Sequence, residues 1–179
     1  MTRVIAVTHL PFAGFFFAAA TARAVLLSIL PLKALSLLGS AQHVSVLFFV
    51  VSVCGIGASL GIYSILRHIS LRTGFLISSL VLVLSIALLW TQDLWTFSLG
   101  MMLHVFGITS MEVILSLYVM QKIPRSQLSE FEPLRMVSTV MALSIGPWLG
   151  VYLQSRYADW LPFVVAAAGV LTTLIYFSW

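Results

Sequence analysis

Apolar residues run along this chain in six long stretches, and polar residues collect in the short gaps between them. The pattern is neither the two-residue alternation of a half-buried strand nor the one-sided stripe of a helix facing water; the stretches are apolar all round. About 20 consecutive apolar residues is the length at which a helix crosses a hydrocarbon layer about 30 Å thick. Inside such a layer the backbone finds no water to bond, so the helix, with its hydrogen bonds internal, is the expected conformation.

This reading predicts an all-α membrane protein with spans over 10–31, 44–66, 73–90, 95–120, 134–153 and 160–177. Pro11 suits the opening turn of the first span, where its missing N–H would have no partner anyway. Pro31 is expected to mark that helix's end. Leu32 to His43, containing Lys33, Gly39 and Gln42, reads as a connection. A basic turn, Arg67-His68-Ile69-Ser70-Leu71-Arg72, follows the second span, and Thr91-Gln92-Asp93 follows the third. The longest polar stretch, Gln121 to Pro133, holds Lys122, Pro124, Arg125, Glu130 and Glu132; Gln154 to Asp159 forms the last loop. The amino-terminal apolar run exceeds signal-peptide length and is followed by further spans, so it reads as a retained first helix.

Composition strengthens the pattern: 61% of residues are hydrophobic and 8% charged, far outside the usage of soluble domains. No polar stretch is long enough for a second domain, which leaves one six-helix domain over residues 1–179. The net charge of +4 comes from lysines and arginines spread singly through short loops, so no nucleic-acid partner is expected. Their distribution sets the topology. Arg3, Arg67, Arg72, Lys122, Arg125 and Arg135 fall on one side and only Lys33 and Arg156 on the other, placing both termini in the cytoplasm. Trp90, Trp95 and Trp160 then share the outer boundary, where indole rings favour the headgroup layer. The expected location is a bacterial inner membrane, with the bilayer as first partner. Cys54 is the only cysteine and lies inside a span, which offers no disulfide, CxxC motif or metal site, and no cofactor is expected.

Away from the span ends the charged residues are Arg23 in the first span and Glu112 in the fourth, with His104 two turns from Glu112. A charge at membrane depth costs about 2.5–3.5 kcal/mol on insertion scales and is retained where it faces protein, water or a substrate path. Eight residues at about 100° each leave His104 and Glu112 about 80° apart, within one broad face. A cavity between the first and fourth spans would hold a cation, a carboxylate and an imidazole for substrate binding or coupling. The plainer alternative is a structural Arg23–Glu112 pair, or a Glu112 held neutral by hydrogen bonds. Gly55, Gly57 and Gly61 in the second span, and Gly146-Pro147-Trp148-Leu149-Gly150 in the fifth, are expected to pack closely or bend.

The order of these features resembles the amino-terminal six-helix half of a major facilitator superfamily transporter. A short basic loop follows the second span, a longer loop with Pro124 and Arg125 precedes the fifth, and the fifth carries Gly146-Pro147-x-x-Gly150, similar to the fifth-helix motif of the family's antiporters. That motif's final glycine is Val151 here and its preceding glycine is Ala142. In the loop after the second span, aligned on Gly61, Ile65 stands at the family's aspartate and His68 at its second glycine, while Arg67 and Arg72 keep the basic character. His104 lies near a position that is arginine in many members. The resemblance implies two inverted three-helix repeats, with spans one and four facing a central cavity. It further implies alternating-access transport of a small organic solute, with proton-coupled export as one form, Gly61, Arg67, Arg72, Gly146, Pro147 and Gly150 serving conformational change. The family binds substrate between two six-helix halves. A second half is therefore the implied partner, whether a copy of this chain, a separately encoded half or the remainder of a longer chain. The chain stops at Trp179, without the linker that follows a first half. A non-transporting accessory subunit is the other reading.

One enzymatic pattern is present. Gly57-Ala58-Ser59-Leu60-Gly61 fits Gly-x-Ser-x-Gly and His104-Val105-Phe106-Gly107 fits His-x-x-Gly, which resembles the serine–histidine dyad of a rhomboid-type intramembrane protease. That family carries its pair on the fourth and sixth helices, and here the residues fall on the second and fourth. The expectation is that the chain is not an enzyme. Haem is disfavoured because His104 lacks a facing histidine at membrane depth.

Overall fold

Helices close their own hydrogen bonds, and nearly the whole chain takes that solution. A computed structural model describes residues 2–178, and these hold seven helices and no strand. They are α1 (Thr2–Leu27), α2 (Ile29–Leu38), α3 (Ala41–Leu66), α4 (Leu71–Leu89), α5 (Leu94–Lys122), α6 (Arg125–Arg156) and α7 (Leu161–Ser178). Five stretches are long and apolar enough to cross a membrane: Ala13–Leu38, which joins most of α1 to α2, and α3, α4, α5 and α6; Leu161–Ile175 of α7 is a shorter apolar segment.

Three boundaries differ from the expected ones, each for a local reason. Pro31 does not end the first helix. The chain breaks instead at Ser28, so Pro31 is the third residue of α2, where a backbone N–H has no acceptor within the helix. The connection expected over 32–43 shrinks to Gly39 and Ser40: Gly39 takes φ +66° and its N–H bonds Leu35 O at 2.8 Å, the left-handed cap that glycine adopts without strain. The long loop expected over 121–133 is helical except at Ile123 and Pro124. Pro124 opens α6, and Pro133 lies inside it. A fully buried Phe131 and a charge-assisted bond from Arg135 Nε to Glu132 at 3.0 Å hold the turn that Pro133 weakens. Elsewhere the turn chemistry is conventional. Ser70 caps α4 by accepting from Thr73 N–H at 3.1 Å, and Asp93 caps α5 by accepting from Thr96 N–H at 2.8 Å and Thr96 Oγ1 at 2.7 Å. The Thr96 hydroxyl and then its backbone N–H hold the Asp93 carboxyl below the usual carboxylate range.

The chain forms two compact units, one built from residues up to Ser28 and from Val119 onward, the other from Ile29–Tyr118. In the first, α1 packs against α6 and α7. Small residues set the distance. Ser138, Ala142, Gly146 and Gly150 recur every fourth residue on α6 and are all buried. A Cβ added at Gly146 would overlap Ala24 Cβ and stand 2.8 Å from the Ala24 carbonyl carbon; one at Gly169 of α7 would stand 2.9 Å from Ala22 Cβ. Phe16 meets Phe131 at 6.1 Å and carries Arg135 at 5.4 Å over its ring, while Phe15 stacks on Phe177 at 6.2 Å. Paired positions rise together along α1 and α6 and oppose each other along α1 and α7, so the first pair is parallel and the second antiparallel.

The second unit joins α2 through α5. Gly107 of α5 lies against Leu82 of α4, where an added Cβ would be 2.7 Å from Leu82 Cγ, and Gly100 lies against the Leu88–Leu89 backbone. These helices are antiparallel. Gly55 of α3 meets Val105 of α5. Gly57 and Gly61, expected to pack, are exposed with open space where a Cβ would stand.

Gly146→Val should therefore destabilise the protein by about 1–3 kcal/mol through forced separation of α1 from α6, whereas Gly57→Val should change stability little. Thermal or denaturant unfolding in mild detergent checks this; equal effects at the two positions would contradict the packing described.

Candidate functional site

The charges singled out in the spans are placed as follows. Arg23 lies on α1, half-buried, in the first unit; Glu112 lies on α5, exposed, in the second. Neither unit by itself contains the expected cation–carboxylate pair. His104 is 5% exposed on α5, within hydrogen-bond distance of Ser85 on α4. Arg67 and Arg72 are exposed at the turn between α3 and α4. Gly146 and Gly150 are buried in the first unit, with Pro147 half-buried beside them.

Among the described residues, most of the buried polar side chains lie in the second unit. Ser78, Ser79, Ser85, His104 and Ser110 are all buried there. Ser78 donates to Gly74 O at 2.9 Å and Ser110 to Phe106 O at 2.8 Å, each turning back on its own helix. Ser79 Oγ has no hydrogen-bond partner among the described residues. Ser85 Oγ donates to Leu82 O at 2.7 Å and lies 3.1 Å from His104 Nδ1. A hydroxyl has one hydrogen. With that hydrogen on Leu82 O, the Ser85–His104 bond forms with Nδ1 as the donor and Ser85 Oγ as the acceptor.

A serine–histidine dyad for acyl transfer needs the imidazole to accept the serine proton. With Leu82 O as its acceptor, the Ser85 hydroxyl is not the donor to the ring. Ser59, the serine of the Gly-x-Ser-x-Gly pattern, is exposed on α3 and donates to Gly55 O at 2.9 Å.

Sequence reasoning missed Lys33. Read as a loop residue, it lies within α2 at 9% exposure, donates to Trp90 O at 2.6 Å and sits 5.1 Å from the centre of the Trp90 ring. Trp90 closes the carboxyl end of α4, so the ammonium meets the negative end of that helix and an aromatic face together. Its signal was available: a lysine six residues before the turn at Gly39, amid apolar neighbours on both sides, has helical rather than loop context. Ser85 carried no signal, since a lone serine in an apolar stretch is ordinary.

Among the described residues no three His, Cys, Asp or Glu side chains gather into a metal-binding group. Comparison with family models, curated proteins and solved structures gives no match for this chain.

Ser85→Ala should cost about 1–3 kcal/mol, because it strips the buried imidazole N–H of its acceptor. Ser59→Ala should be near neutral. Paired unfolding measurements check the difference, and a larger loss at Ser59 would overturn the assignment.

Proposed function

We propose that this chain is a multi-pass membrane protein that crosses the bilayer six times, α1 with α2 forming the first crossing and α7 the last. The observation that carries this is the exposure of many large apolar side chains. Phe49 is 69% exposed, Leu60 77% and Trp95 83%, while serines and a histidine are buried. A water-soluble monomer rarely leaves apolar patches larger than a few hundred Å² uncovered, and here such side chains stud several helices. Helix direction supports the same reading: crossings one and five run parallel within the first unit, and successive crossings α4 and α5 run antiparallel within the second, as strict alternation requires.

Within the membrane the chain works as half of a secondary carrier of the major facilitator type, moving a small organic solute by alternating access with a second six-helix half. Arg23 and Glu112 carry the substrate or coupling role, because a charge kept at membrane depth against a cost of about 2.5–3.5 kcal/mol calls for a use. His104, braced by Ser85, supports α5 beside Glu112. A second reading is a non-transporting accessory subunit. It is favoured by Gly146, whose contact with Ala24 is already closed, so that the Gly146-Pro147-x-x-Gly150 segment serves packing in place of bending.

In vesicles containing both halves, Arg23→Ala and Glu112→Gln should each reduce solute flux at least about tenfold while the protein remains folded in detergent. Flux equal to that of the unaltered protein would remove both residues from the mechanism, and release of the chain from membranes by alkaline carbonate would remove the membrane reading itself.

A further inference from the structure

At the end of the second unit where α3 turns into α4, the helices leave a groove. Ile62, Ile65, Ile69, Ile77, Phe106 and Ile114 form its walls, and it holds about 330 Å³ including its open side. Gly74 makes the room: a Cβ there would stand 3.0 Å from Leu66 Cδ2 and 3.2 Å from Ile114 Cδ1. The two hydroxyls that reach the lining, Ser78 and Ser110, are both spent on their own helices. The lining thus asks for a purely apolar occupant.

The rim asks for the opposite. Ile69 belongs to the lining and lies between Arg67-His68 and Arg72, all three exposed. Arg67 and Arg72 have no ion-pair or hydrogen-bond partner among the described residues. Arg72 is the second residue of α4, whose first turn contains no acid. A cation there opposes the positive end of the helix dipole, at a cost of about 0.3–1 kcal/mol. The helix end and both guanidinium groups therefore add up to positive charge without an internal counter-ion.

An apolar slot with an uncompensated cationic rim matches one kind of molecule. We infer that the groove and its turn bind a phospholipid with an anionic headgroup, one acyl chain lying between α3, α4 and α5 and the phosphate held by Arg67 and Arg72. The inference rests on the membrane reading above. It explains why this turn keeps its arginines and lacks any carboxylate.

The test is lipid retention, measured by native mass spectrometry after mild-detergent extraction from membranes of equal phosphatidylglycerol and phosphatidylcholine. The unaltered protein should retain phosphatidylglycerol over phosphatidylcholine by about tenfold. The double variant Arg67→Gln, Arg72→Gln should bring that preference within about twofold, while Arg125→Gln, at an exposed arginine of the first unit, should leave it intact. Ile77→Trp, which fills the groove from an exposed position, should lower retention at least about threefold with both arginines present. Equal loss in Arg125→Gln, unchanged retention in Ile77→Trp, or full displacement of the lipid by glycerol phosphate without acyl chains would overturn the site. A chain that stays dissolved without detergent and holds neither lipid removes the membrane reading; one that needs detergent and holds both lipids equally removes only the site.

Discussion

Hydroxyl groups on an apolar helix have to find an acceptor without water, and on this chain many find it one turn back, Ser79 being an exception. Ser52 donates to Phe48 O at 2.8 Å, Ser144 to Val140 O at 2.8 Å and Thr172 to Ala168 O at 2.8 Å, all from exposed positions. The same geometry recurs inside, at Ser78, Ser110 and Ser138. Such bonds add nothing to helix stability in water and can bend the helix slightly. In hydrocarbon they matter more, because an unsatisfied polar group there costs several kcal/mol. Satisfying hydroxyls locally leaves the helix surfaces free to be chosen for shape, and shape is what organises both units.

In the first unit shape means the absence of side chains. Ala22, Ala24, Gly146 and Gly169 bring three helices close enough that backbone meets backbone. Between apolar helices in lipid no hydrophobic force favours association, so tight van der Waals packing must supply it. The second unit solves the same problem with more chemistry. Its contacts at Gly55, Gly100 and Gly107 are similarly close, but the interface also contains the His104–Ser85 bond and the Lys33–Trp90 contact. Directional bonds fix register in a way that a smooth ridge of alanine and glycine does not.

Much of this could be read from the residues. The middles of the apolar stretches, the basic and tryptophan-bearing turns and the close packing at Gly146 follow from hydropathy and small-residue spacing. What failed was proline as punctuation. Pro31 and Pro133 both look like helix ends, yet one falls in a first turn and the other is carried by Phe131 and the Glu132–Arg135 pair. The polar character of 121–133 misled for a related reason: charged residues also occupy helix ends, and this stretch is helical except at Ile123 and Pro124. Glycine spacing was equally ambiguous. Gly55, Gly57 and Gly61 look alike in sequence, and only the first has a neighbour, because a 3.6-residue period turns the others away from α5.

Arg72 shows how local disagreement becomes informative. Most choices around the α3–α4 turn agree with one another: Ser70 caps the helix, Gly74 admits Leu66 and Ile114, and the isoleucines pack. A cation in the first turn disagrees with all of this, as does the lack of any acid to offset it. On the proposed membrane reading, topology would account for the sign of the charge, since arginines near the ends of crossings favour the cytoplasmic side. It does not account for the position, because an arginine outside the helix would serve topology without opposing the dipole. Sequences tolerate such conflicts mainly where function needs them. The conflict at Arg72 stands at the mouth of a groove with no polar demand of its own, and an anionic headgroup above an acyl chain resolves both at once.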